Sequence, residues 1–297
     1  MKVLIVSGGN SSERKISLIS AKAVKKALEE NGYHVQVFDL RHGFVALKKL
    51  AKDYHVIFPV IHGAEGEGGS LHKHLARINK PFVGGNWKNF QKGWHKISFK
   101  RFCEKENILT ATWKLVKTKE QITKFGFPSV LKASAGGSSR EIVILHSKKE
   151  LNNQLINKLL KSGDKLFTER LLPGIEVTVG ILDNQALPVL EIIPPEGKWF
   201  DYENKYSGAT QEIPHAPSLT EDQRRQVQKI ALEIHQKLNI GHYSRIDFII
   251  SQGKPYVLEV NTIPGLTPES LFPKAAKAAG YSFPETMEKL VHLALRQ

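Results

Sequence analysis

Two alternating runs, Arg245-Ile-Asp-Phe-Ile-Ile and Tyr256-Val-Leu-Glu-Val-Asn261, flank Ser-Gln-Gly-Lys-Pro and read as a β-hairpin whose polar and apolar residues separate by strand parity. With Gly253 at the centre of an odd-length turn, Asp247 faces Glu259 and Arg245 faces Asn261, so all four polar side chains share one face. Ile246, Phe248, Ile250, Tyr256, Leu258 and Val260 then take the other face and enter a core. Two carboxylates and an amide beside a guanidinium are costly to desolvate without partners, and hard oxygen donors of this kind suit magnesium. A hairpin with one solvated face explains the same alternation. The continuation Thr262-Ile-Pro-Gly-Leu-Thr267 favours the metal reading, because a Pro-Gly turn there offers backbone amides to a developing oxyanion.

The chain has 297 residues, enough for a large core and for two or three domains. No apolar run reaches membrane-spanning length, and Met1-Lys2-Val-Leu-Ile-Val6 reads as a strand rather than a secretion signal, so the expected location is the cytoplasm. The single Cys103 excludes an internal disulfide framework and is expected in a core, and no zinc-ligand spacing occurs. A net charge of +14 raises the question of nucleic acid. Its lysines and arginines are nevertheless spread along the chain without a basic arm, which fits a diffuse surface that attracts a small anionic substrate.

Strand and helix alternate at the start: Val3 to Val6, a helix over Ile16 to Leu28 stopped by Asn31-Gly32, then strands at Val35 to Phe38 and Val56 to Ile61. This predicts a doubly wound α/β unit over residues 1–84. Neither the dinucleotide G-x-G-x-x-G nor the Walker spacing is present, which argues against dehydrogenase and P-loop classes. Residues 85–168 form a second unit, with a helix near Lys96 to Asn107, strands at Trp113 to Val116 and Ser129 to Lys132, and the loop Lys132-Ala-Ser-Ala-Gly-Gly-Ser-Ser139, whose small residues let amides approach phosphate. Residues 169–297 form the third, with capping boxes expected at Ser218 to Glu221 and Ser282 to Glu285.

In this order and spacing the pieces resemble the D-alanyl-D-alanine ligases of the ATP-grasp superfamily over essentially the whole chain, which implies an α/β (α+β) fold of three domains. Gly8-Gly-Asn-Ser-Ser-Glu-Arg14 matches the family's first motif, whose glutamate, here Glu13, holds the first D-alanine's ammonium. His62-Gly63 with Glu67-Gly-Gly-Ser70 is similar to its substrate-proximal loop. Lys96 and Lys132 fall on the two phosphate lysines, and Ser138 on the serine of the glycine-rich lid. The resemblance places Glu169 and Glu176 against adenine and ribose. It also places Lys205 and Tyr206 on a mobile loop, Lys205 reaching phosphate and Tyr206 closing over substrate through Ser138 and Glu13. Asp247, Glu259 and Asn261 match the magnesium ligands, with manganese as the alternative ion; Arg245 and the Gly265 amide match the oxyanion site, and Ser270-Leu271 the second D-alanine's site.

The implied reaction joins two D-alanines through a D-alanyl phosphate at the expense of ATP, for peptidoglycan precursors of the cell wall, in a homodimer without nucleic-acid or membrane partners. Relatives that make ester-linked products usually lack the Lys-Tyr pair present at Lys205-Tyr206. The chain departs from the family where the lid runs Ser138-Ser139-Arg140-Glu141, an acid standing in place of glycine. The expectation is that Arg140 faces the phosphates and Glu141 faces solvent. Two other readings stay open at this level: a carboxylate–amine ligase with other substrates, and an impaired nucleotide-binding homologue.

Overall fold

The computed structural model describes residues 1–11, 13–137, 141–196 and 209–296. Ser138, Arg140, Lys205 and Tyr206 lie outside the described residues. The N-terminal unit is a three-stranded parallel sheet with Lys2–Ser7 between His34–Asp39 and Val56–Pro59. Helix Arg14–Glu30 forms because Ser17, Ser20, Ala21, Val24, Ala27 and Leu28 recur at helical spacing on its buried face. Gly32, at φ 79°, turns the chain back into the sheet.

A four-stranded antiparallel sheet follows, in the order Trp113–Val116, Leu166–Arg170, Ser129–Ala133, Ile142–Leu145. Its own core gathers Val116, Leu131, Val143, Ile156 and Leu166. The boundary expected at residue 168 falls inside strand Leu166–Arg170, whose backbone pairs with Ser129–Ala133 through Arg170. The large sheet runs Gln211–Pro214, Leu190–Ile193, Ile175–Leu182, Tyr243–Ser251, Lys254–Asn261, with Gln185–Ala186 on one side. One continuous core joins this sheet to the N-terminal helix and to helices Trp87–Trp94 and Lys96–Lys105. Cys103 is wholly buried in it.

The hairpin register corrects the parity argument. Arg245 pairs with Asn261 and Asp247 with Glu259, but the register shifts between Asp247 and Phe248 and the strands close as Ser251 opposite Lys254. The turn is therefore the two-residue Gln252-Gly253, both left-handed at φ 50° and 73°, and Leu258 is the extra residue of a β-bulge. Beyond the bulge, Val257 takes the core position opposite Phe248, while Tyr256 and Leu258 stay partly exposed.

The capping box expected at Ser218 stands two residues later. Thr220 Oγ1 accepts from the Gln223 amide and Gln223 returns the bond, opening helix Glu221–Leu238. Ser282 and Glu285 form the other box.

Three buried histidines lie at the seam between the N-terminal unit and the large sheet. His242 Nδ1 accepts from the Gly84 amide at 3.1 Å, His235 bonds Ser244 and the Gly241 carbonyl, and His72 packs on Phe82 and Phe90. Burial pulls all three rings down to about 4.

Candidate active site

The sheets and the N-terminal unit enclose a cleft of about 850 Å³, which Glu13, His62, Lys96, Arg245, Glu259, Asn261, Gly265, Ser270 and Leu271 help to line. Nine residues proposed from four distant segments thus meet at one surface. Lys132, Glu169, Glu176 and Asp247 do not line it: Asp247 backs Arg245, Glu169 stands between Lys132 and Lys100, and Glu176 sits partly exposed on strand Ile175–Leu182 opposite Ile192.

Glu13 occupies the N-cap position of helix Arg14–Glu30 and makes no side-chain capping bond there. Its carboxylate instead reaches the glycine loops: a Cβ on Gly63 would lie 3.0 Å from Glu13 Oε2, and one on Gly137 would lie 3.2 Å from the same oxygen. His62 is buried, and burial holds its ring below the usual histidine range. Neutral, it can donate Nδ1–H to the Ile263 carbonyl at 3.2 Å, which leaves Nε2 as an acceptor; that atom is buried and has no partner among the described residues.

Asp247 holds the guanidinium. Arg245 Nε and Nη2 donate to its two oxygens at 2.9 Å each, Thr178 Oγ1 donates to Oδ1 at 2.6 Å, and Asn261 Nδ2 donates to Oδ2 at 3.0 Å. Burial disfavours the charge on Arg245, but Asp247 outweighs it and the guanidinium is held more firmly protonated than usual. Asn261 spends its amide nitrogen on Asp247 and so keeps its carbonyl oxygen for a ligand. Glu259 lies 3.3 Å from Lys96, whose ammonium also donates to the Gly136 carbonyl at 2.9 Å. Two carboxylates and an amide oxygen on facing strand positions are a donor set that fits a hard divalent cation, with Asp247 exchanging one protein donor to take part.

Beyond Pro264, Gly265 packs against Ser270, whose Oγ a Cβ at residue 265 would approach to 2.7 Å. Ser270 begins helix Leu271–Ala278 without a side-chain capping bond, and its hydroxyl meets Thr267 at 2.8 Å.

The Glu169 carboxylate is enclosed between Lys132 and Lys100. One position differs from the sequence expectation. Glu141 points inward: a Cβ on Gly136 would lie 2.6 Å from its Oε2, and Glu141 shares a small hollow with Lys96 and Glu259. If phosphate binds where the resemblance sets the lid, a carboxylate there opposes an incoming triphosphate. Glu141→Gly is therefore expected to lower the apparent KM for ATP about threefold, at roughly 0.6 kcal/mol for that ratio. Initial-rate measurements over a range of ATP decide it, and an unchanged or higher KM would refute the repulsion.

Other contributors carry no sequence motif of their own. Trp94 lines the cleft, its ring 3.2 Å from where a Cβ on Gly137 would stand, and no motif marked it. Glu67, noted only as part of a loop, accepts from the Gly63 amide at 3.0 Å. Burial, aided by the Glu13 charge, lifts its carboxyl to about 8, so it is mostly protonated at neutral pH. Lys100 was detectable as the residue one helical turn after Lys96.

The three seam histidines and Glu67 set opposite pH slopes. Between pH 6.5 and 4.5 the unfolded chain takes up three histidine protons that the fold refuses, while the fold already holds the Glu67 proton that the unfolded chain lacks. The net difference of two protons makes stability fall as pH drops through this window, by at most about 2.7 kcal/mol per pH unit. Above about pH 7 the unfolded histidines have shed most of their protons, Glu67 dominates among these four, and stability falls as pH rises toward 8. Thermal melts of the ligand-free protein should therefore peak at about pH 7. A flat Tm from pH 5 to 6.5 contradicts this.

A family model described as D-ala D-ala ligase C-terminus matches residues 94–292. The D-alanine–D-alanine ligase of Maridesulfovibrio salexigens is 38% identical over 100% of this chain and 99% of that protein. That of Methylacidiphilum infernorum is 40% identical over 98% and 95%. The crystal structure of D-alanine–D-alanine ligase from Bacillus anthracis complexed with ATP superposes with a TM-score of 0.86 at 28% identity, covering 100% of this chain and 98% of the other.

Proposed function

Since the chain belongs to the D-alanine–D-alanine ligase family, we propose that its cleft joins two D-alanines by carboxyl activation with ATP, for peptidoglycan precursor synthesis. The observation that carries the site assignment is the convergence of Glu13, His62, Arg245, Glu259, Asn261, Gly265 and Ser270 on one cleft.

Lys96 and Lys132, with Lys205, hold the triphosphate, and Glu169 and Glu176 stand on the nucleotide side. Glu259, Asn261 and Asp247 hold magnesium or manganese, which when bound neutralises charge during phosphoryl transfer. Glu13 takes the first D-alanine's ammonium as an ion pair, and the lone acceptor His62 Nε2 adds a hydrogen bond. That substrate's carboxylate attacks the γ-phosphate, giving an acyl phosphate and ADP. The second D-alanine, its carboxylate set by the Ser270 hydroxyl and the Leu271 amide, attacks the acyl carbon through its free amine. Arg245, locked by Asp247, and the Gly265 amide face the oxyanion that develops, and inorganic phosphate leaves as the peptide bond forms. The proton that the second amine loses leaves with the inorganic phosphate as hydrogen phosphate, and Tyr206, through Ser138 and Glu13, closes over the substrate. Lid and loop closure over the cleft shields the acyl phosphate from water.

Among the described residues no helix is long and apolar enough to cross a membrane. A cytoplasmic homodimer completes the proposal, and light scattering checks the dimer. The decisive experiment is phosphate release with a panel of D- and L-amino acids and D-lactate. D-alanine alone should support turnover, and at pH 7 D-alanyl-D-alanine should exceed D-alanyl-D-lactate by at least about tenfold, or about 1.4 kcal/mol in favour of the amine. Mainly ester product, or equal turnover with L-alanine, would overturn the assignment.

A further inference from the structure

Lys132, on strand Ser129–Ala133, belongs to a buried group of three charges behind the cleft. Glu169, on strand Leu166–Arg170, has a side chain only 3% exposed; Lys132 meets its Oε1 at 2.5 Å, and Lys100 meets its Oε2. Lys100 is itself 2% exposed at the side chain, against 12% for Lys132. Its ammonium also donates to Thr110 Oγ1, which donates onward to the Val257 carbonyl at 3.0 Å. One side chain therefore ties helix Lys96–Lys105 to the four-stranded sheet through Glu169 and to the large sheet through Thr110.

Lys100 is sealed from the cleft and cannot touch a substrate. Lys96 stands four residues earlier on the same helix, so both ammoniums lie on one helix face, Lys96 toward Glu259 and Lys100 toward Glu169. Two ammoniums on one carboxylate leave a net positive charge, and the buried site screens it poorly. Burial works against the ammonium of Lys132, but Glu169 outweighs it and holds Lys132 protonated; burial dominates at Lys100, whose charge is the costlier one to keep. Glu169 remains ionised because the two lysines together outweigh its burial.

We propose that Lys100 is a positioning residue for ATP: by sharing the Glu169 carboxylate it keeps the Lys132 charge available to the triphosphate, at the place the helix sets. This rests on the reading of Lys132 as a phosphate-binding lysine. Without the Lys100 charge, Glu169 becomes the partner of Lys132 alone, and the pair presents a nearly neutral surface to the nucleotide.

The test is a double-mutant cycle on initial rates, with Lys100→Met, Lys132→Met and both together. Lys100→Met should raise KM for ATP about tenfold while kcat and KM for D-alanine stay within about twofold, a split that general loosening of the fold would not give. Lys100→Arg should recover part of the loss. In the Lys132→Met background, Lys100→Met should add nothing. Should Lys100→Met fail to fold, Lys100→Gln, which keeps a donor for Glu169, carries the same cycle. An unchanged KM for ATP in Lys100→Met, or the same multiple in both backgrounds, overturns the proposal while Lys132→Met still weakens ATP. If Lys132→Met leaves KM for ATP unaltered, the phosphate-lysine reading itself fails, and this inference with it.

Discussion

Glu259→Gln is expected to lower ATP-dependent phosphate release by about 10²- to 10³-fold, the range seen when one preorganised charge or donor is removed from a transition state. The substitution keeps volume and shape and deletes one negative charge. That charge lies opposite Asp247 across the hairpin, 3.3 Å from Lys96, on the wall of the cleft. The fold should not register the change, because the Glu259 side chain is 29% exposed and its backbone pairing is unaffected. Far-UV circular dichroism and Tm would stay close to the parent. Activity above about a tenth of the parent rate at saturating magnesium would remove Glu259 from the metal set.

Asp247→Ala is expected to act on stability as well as turnover. Arg245 and Asp247 have side chains 11% and 9% exposed and share two 2.9 Å hydrogen bonds, so losing the carboxylate strands a buried guanidinium at about 3–5 kcal/mol. Thr178 and Asn261 lose their acceptor in the same step. Denaturant unfolding would show the loss. The double variant Arg245→Met with Asp247→Leu should recover most of that stability while remaining inactive, because it removes both charges but also the proposed oxyanion donor. If the double variant is as unstable as the single, the damage comes from packing and not from the unpaired charge.

The N-terminal parallel sheet, the helix after it, the hairpin and the order of the site motifs are all legible in the sequence, because each rests on local periodicity or local turn chemistry. Strand alternation alone brought Asp247, Glu259, Arg245 and Asn261 to one face. A two-residue turn with a bulge at Leu258 gives the same pairing near the site as a three-residue turn without one, so parity alone yields the right register there. The difference appears only beyond the bulge, where Val257 enters the core and Tyr256 does not.

What the sequence determined by itself is which segments are strands and helices and which polar residues share a strand face or a glycine-rich loop, because those properties belong to a few neighbouring residues. Tertiary structure alone decided which charges share a partner and which are buried. Glu169 lies between lysines 37 and 69 positions away, Glu141 turns in against Gly136, and Glu67 gains its proton from enclosure near Glu13. Charge states and ion pairs depend on distance and desolvation in space, and neither is a function of separation along the chain.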